Sequence, residues 1–116
     1  MSIIKTGSIV LVKFPFTNLE SVKKRPALVL KEVKLTQKMN LVIIAMITSQ
    51  IEKTRIEGDY ELISWDKAGL IHPSIVRLSK MTTIEDLLIE KQLGKLAQLD
   101  LEKVAALFRK LHHWAV

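Results

Sequence analysis

Apolar residues run through this chain in short blocks, and their spacing becomes helical only near the end. Ser8 to Phe14 (SIVLVKF) is β-branched and apolar and stops at Pro15, which predicts a strand. A second strand is predicted over Pro26 to Lys31, opening at a proline, which strands accept as first residue. Leu41 to Ile47 (LVIIAMI) is apolar at every position and predicts a central strand buried on both faces. Tyr60–Ile63 and Ser74–Leu78 are shorter strand candidates, separated by a turn segment holding Trp65, Gly69 and Pro73. Met81 to Leu93 is ambiguous in period, and Gly94 reads as a turn before Lys95 and Leu96. Beyond Asp100, a candidate N-cap, Leu101, Val104, Ala105, Phe108 and Leu111 recur at helical spacing. One amphipathic helix closing a mostly β chain predicts an α+β domain, a small curled sheet or barrel with the helix laid against it. No repeat or linker interrupts the pattern, so residues 1–116 are expected to form a single domain.

Composition removes several classes. The chain has no cysteine, which excludes disulfides, zinc knuckles and thiol nucleophiles. Its longest apolar run, Leu41–Ile47, falls far short of the ~20 residues that span a bilayer. Met1–Lys5 has no apolar stretch behind a basic start, so a soluble cytoplasmic protein is expected, with no membrane partner. The net charge is +6, and it is unevenly spread. Residues 1–38 hold eight basic and two acidic side chains, whereas the remainder is balanced. A localised surplus suits an anionic partner, nucleic acid foremost, and suits equally a solvated basic face.

The connection between the first two predicted strands, Pro15 to Arg25, is long for a hairpin loop, which usually takes ~2–5 residues. It carries Lys23, Lys24 and Arg25 beside Phe16, a combination that suits single-stranded nucleic acid, where bases stack and phosphates pair. A solvated tip with Phe16 turned into the core fits as well. Metal chemistry finds no ligand spacing in the sequence, and the adjacent Glu85 and Asp86 read as a solvated turn. No nucleophile elbow supports a serine triad. His72 precedes a proline in a turn, and His112–His113 end the helix, so capping and surface roles are expected of them. Strand pairing offers more. If Pro26–Glu32 and Leu41–Thr48 form an antiparallel hairpin, a register pairing Glu32 with Leu41 also pairs Arg25 with Thr48. A guanidinium and a hydroxyl then converge beside the basic loop; an ordinary strand-edge Arg and a β-favouring Thr are the plainer reading.

Four blocks carry a family resemblance: GSIVLVKFPFT at 7–17, KRPALVL at 24–30, IAMITSQ at 44–50 and SIVRLSKMTTI at 74–84. In this order and spacing, with LGKL and a helix after them, they make the chain resemble the MazF/PemK-like toxins of type II toxin–antitoxin systems almost end to end. The resemblance implies a small SH3-like β-barrel with appended helices, a homodimer, and metal-independent, sequence-specific cleavage of single-stranded RNA, mostly mRNA. No cofactor is implied. The family's essential arginine maps onto Arg25 and its essential threonine onto Thr48, the pair the hairpin argument brings together. Phe16, Thr17, Lys23, Lys24, Gln50, Lys53 and Lys80 are the implied RNA contacts, with Lys13 a further phosphate holder and Trp65 a half-buried core residue rather than a stacking platform. The cognate antitoxin, through an acidic and partly disordered tail, is the implied partner, and operator DNA is met only through that complex. The chain departs from the family in Leu19–Lys24, where many relatives carry a glycine-containing run, and Glu20 and Ser21 receive no role. A gyrase-poisoning toxin on the same barrel, acting through the helix that ends His112-His113-Trp114, and a non-catalytic nucleic-acid-binding barrel are the alternatives.

Overall fold

The computed structural model describes residues 4–15 and 22–112. Among the described residues, six strands, a single 3₁₀ turn and one helix follow each other as β1 (Ser8–Pro15), β2 (Val22–Lys34), β3 (Asn40–Thr48), β4 (Asp59–Glu61), β5 (Ile75–Glu85), the 3₁₀ turn Asp86–Leu88, β6 (Ile89–Lys95) and α1 (Gln98–Leu111). The strands form one antiparallel sheet in the order β4-β5-β3-β2-β1-β6. The α+β expectation therefore holds, with the barrel only approximate, because no ladder joins β4 to β6 among the described residues.

The centre of the sheet is buried on both faces, as the unbroken apolar run of β3 requires. Val42 and Ile44 pack with Val10, Val12, Ala27 and Val29 on one face, closed over by Ile84, Leu88 and Ile89. Ala45 and Ile47 pack with Ile9, Leu28 and Leu78 on the other, under Leu101, Val104, Leu107 and Phe108 of α1. Each fully buried Ile, Leu or Val side chain contributes roughly 1.5–3 kcal/mol, which is why both layers are needed to order so small a sheet. Truncating the fully buried Ile44 to Ala is the single change expected to break it most directly, at ~2–5 kcal/mol.

Several sequence expectations are corrected. The long first connection is shorter than expected, since β2 begins at Val22, paired with Pro15, and Lys23, Lys24 and Arg25 belong to the strand. Only residues 16–21 remain between the two strands, and Phe16, Thr17, Glu20 and Ser21 lie outside the described residues. The ambiguous stretch Met81–Leu93 is the outer half of β5, the 3₁₀ turn and β6; Ser79–Thr83 are all exposed, so no alternation marks them. Gly94 is not a turn residue but lies inside β6. A Cβ there would overlap the Ala68 carbonyl, and one on Gly69, at φ +87°, would overlap the Leu93 carbonyl. The two glycines thus let the connection after β4 press its backbone against β6, on the side where the sheet lacks a ladder.

Asp100 is likewise not the helix cap. Ala97 holds that position without a side-chain bond, and Asp100 sits in the first turn of α1 with no exposed surface. Its carboxylate accepts from the Tyr60 hydroxyl at 2.6 Å, the Ile63 amide at 3.0 Å and the Ser64 amide at 2.8 Å. A buried charge with three donors at a helix N-terminus is well placed electrostatically, and it ties α1 to the end of β4. Burial and the Asp100 carboxylate push the Tyr60 phenol far above its usual range.

Candidate active site

The site is built at the end of the β2–β3 hairpin. Its ladder ends at Ala27↔Met46, a register that, carried two residues further, would set Arg25 opposite Thr48. The distal half of the hairpin is not in that register, because it pairs Val33 with Leu41 and Glu32 with Val42. A bulge at Leu30 absorbs the one-residue offset. The Glu32–Leu41 pairing expected from sequence is therefore wrong by one, while the register it gave for the near end matches the pairs from Val29↔Ile44 to Ala27↔Met46.

Arg25, Thr48 and Gln50 line one open cavity of about 220 Å³. Its far wall is the segment that leads into β5, with Leu70, Ile71, His72 and Ser74. The Thr48 hydroxyl oxygen accepts from the Gln50 amide at 3.1 Å, a local turn that fixes the oxygen. Ser74 is buried, and its hydroxyl donates to the His72 carbonyl at 2.8 Å, pinning the backbone of that wall. Arg25 and His72 are the ionisable side chains of the cavity lining. A guanidinium fork, a hydroxyl and an amide side chain around an open cavity can hold an anionic oxygen from several directions.

The remaining expected contacts are dispersed. Lys53 lies in an adjoining cavity of about 310 Å³ that shares Ser49 and Gln50 with the first. Lys23 and Lys24 precede Arg25 on β2, and alternation puts Lys24 on the opposite face of the sheet from Arg25. There Lys24 pairs directly with Lys13 across the ladder and makes a 2.6 Å ion pair with Glu90 of β6. The Lys24 hydrogen bond outweighs solvent loss and, with the charges of Lys13 and Lys91, keeps the Glu90 carboxyl below its ordinary range. Lys80 lies in the irregular part of β5 between the partners of Met46 and Ala45, away from Ile75, the partner of Thr48. Trp65 is half-buried against the core beneath the helix. His112 caps α1, its ring nitrogen 3.1 Å from the Phe108 carbonyl and its ring stacked on Phe108. His113 and Trp114 lie outside the described residues. His72 is the residue of this site that sequence reasoning left on the surface. A histidine before a proline carries no motif, and only the fold sets it across from Arg25.

Among the described residues, no helix is long and apolar enough to cross a membrane. Compared with curated proteins by sequence, the chain matches none. Among solved structures it is similar to the Mycobacterium tuberculosis toxin MazF-mt6, at 21% identity and TM-score 0.67, over 92% of this chain and 99% of that one. It is similar also to a MazE-MazF structure from Deinococcus radiodurans, at 16% identity and TM-score 0.68, over 99% of this chain and 100% of that one. An endoribonuclease in complex with its cognate antitoxin from Mycobacterial species aligns at 12% identity and TM-score 0.67, over 97% of this chain and 99% of the other. At such identities these likenesses speak for the fold. The family model described as PemK-like, MazF-like toxin of type II toxin-antitoxin system matches residues 5–112, and the chain belongs to that family.

Proposed function

We propose that the protein is an endoribonuclease toxin that cleaves single-stranded RNA, mRNA above all, at a specific sequence and without a metal ion. The observation that carries this reading is the convergence of Arg25, Thr48 and Gln50 on one open cavity at the end of the β2–β3 hairpin. In the reaction the ribose 2′-oxygen attacks the adjacent phosphorus, the bond to the 5′-oxygen breaks, and charge grows on the non-bridging oxygens. Arg25 meets that charge with paired donors held in place by strand β2, and such preorganised donors are worth most where charge develops. Thr48 directs its hydroxyl proton at the same phosphate, and Gln50 contacts the neighbouring nucleotide. Lys53 and Lys23 hold flanking phosphates. Lys24 is committed to Glu90, so its contribution to RNA binding is smaller than its place in the sequence suggests. Phe16, Thr17 and Lys80 remain RNA contacts by family resemblance alone.

The proposal extends to partners. The protein acts as a homodimer in the cytoplasm, and a cognate antitoxin covers the basic site with an acidic, partly disordered segment and carries the complex to operator DNA. Primer extension on a long single-stranded RNA, incubated with the purified protein in EDTA, tests the activity and reads its sequence preference. Discrete stops at recurring sequences, with 2′,3′-cyclic phosphate ends, are expected. Intact RNA, or full cleavage by both Arg25→Ala and Thr48→Ala, would overturn the reading.

A further inference from the structure

Attack by a 2′-hydroxyl requires that its proton go somewhere. Arg25 is a guanidinium, protonated throughout the range in which proteins are folded, and Thr48 is a neutral alcohol, so neither accepts a proton near neutral pH. Of the described residues lining the cavity, His72 alone belongs to a type that exchanges protons between pH 5 and 8. Its position is set by the fold. Pro73 stiffens the chain after it, the buried Ser74 hydroxyl holds its carbonyl at 2.8 Å, and the Ser74 carbonyl is in turn held by the Leu62 amide at 3.0 Å. His72 is exposed and forms part of the cavity lining. The lining around it holds Arg25 from β2, its single charged member, Thr48 at the end of β3, Ser49 and Gln50 just beyond that strand, and its own segment's Leu70 and Ile71.

We infer that His72 is the general base of this site; the inference rests on the endoribonuclease reading above and deepens it. The neutral imidazole takes the 2′-hydroxyl proton as the O2′–P bond forms. Arg25 holds the non-bridging oxygens, the P–O5′ bond breaks, and the 5′-oxygen leaves with a proton from water. The imidazolium then returns its proton to solvent.

The test is single-turnover cleavage of a short RNA containing a mapped site, by the wild-type protein, His72→Gln and His72→Ala, from pH 5 to pH 9 in EDTA. Binding is measured in parallel on the same oligonucleotide with one 2′-deoxy sugar at the scissile position. The wild-type rate should rise with pH along an acid limb. Both variants should lose ~100-fold or more in rate, the scale of general base catalysis, and lose the limb as well. Their affinity for the 2′-deoxy oligonucleotide should stay within about threefold, and added imidazole should restore part of the His72→Ala rate. Retention of rate and limb by both variants overturns the inference, as does a loss confined to binding or an absence of imidazole rescue. Those outcomes leave the endoribonuclease reading standing, provided that Arg25→Ala is inactive. An inactive wild-type protein overturns both.

Discussion

Two polar clusters in this small domain use similar chemistry for opposite ends. Around Asp100 a carboxylate with no exposed surface meets a phenol and two backbone amides, all within 2.6–3.0 Å. Around Arg25 a guanidinium, a hydroxyl, an amide side chain and an imidazole line an open cavity, with Arg25, Gln50 and His72 exposed. The first cluster consumes its hydrogen-bonding capacity internally, and what it gains is a fixed angle between α1 and the end of β4. The second lies open to solvent, and that is the condition for admitting an anion from outside. Polarity at a site is therefore a poor guide until one asks where its donors and acceptors are spent.

The contrast is sharpest when each cluster is broken separately. Arg25→Lys keeps the charge and loses the fork, and single-turnover RNA cleavage should fall by ~100-fold or more while the thermal midpoint stays unchanged. Asp100→Ala should do the reverse, costing about 3 kcal/mol in urea unfolding because three donors lose their acceptor, with cleavage per folded molecule little altered. If Asp100→Ala abolished cleavage without lowering stability, the division between the two clusters would fail.

Arg77 and Asp59 give an intermediate case. The guanidinium meets both carboxylate oxygens at 2.9 and 3.0 Å, with Asp59 nearly buried. Burial raises the Asp59 pKa, but the Arg77 hydrogen bond, the Ile56 amide and the charges of Arg77 and Arg55 outweigh it and hold the carboxyl below its usual range. A depressed carboxyl stabilises the fold above its unfolded-state value of ~3.9, and that stability is lost as pH falls through the lower folded value. Arg77→Leu should cost about 2 kcal/mol at pH 7, and its deficit against the wild type should shrink as acid protonates Asp59. A deficit constant from pH 7 down to acid unfolding would contradict the assignment.

Tyr60 supplies the smallest effect and the cleanest signal, since it is the only tyrosine in the chain. Its phenol lies far above the usual range through burial and the Asp100 bond. Because the folded value is raised, the stabilisation is complete below the unfolded value of ~10 and is lost only as pH climbs toward the folded one. Phenolate absorbance should therefore appear together with alkaline unfolding. A phenol titrating near pH 10 in the folded protein would show the Asp100 cluster to be open.

How much of this was legible in the sequence depends on the range of the interactions. β1 and β3 are written in apolar blocks, and both end within a residue or two of where the pattern stops. The outer half of β5 was not legible, because five consecutive exposed residues carry no period. Asp100 looked like a cap since helix-start chemistry is local, whereas its true partners lie 36–40 residues away. Gly94 looked like a turn because nothing in its neighbourhood reveals the backbone of Ala68 against it. The near end of the β2–β3 register was legible for a partly wrong reason. The assumed register fails at the far end of the hairpin, and the bulge at Leu30 restores it at the near end. His72 joins the site only through the return of the chain along β5, which no spacing announces.

The most direct test of the central claim pairs an all-ribose oligonucleotide containing the mapped cleavage site with one carrying a single 2′-deoxy sugar at that site. Both are treated with the wild-type protein in EDTA under single-turnover conditions. If the 2′-oxygen attacks under the hold of Arg25, only the all-ribose strand is cut, and its 5′ fragment ends in a 2′,3′-cyclic phosphate. Equal cutting of both strands, or cutting of neither, would contradict the account.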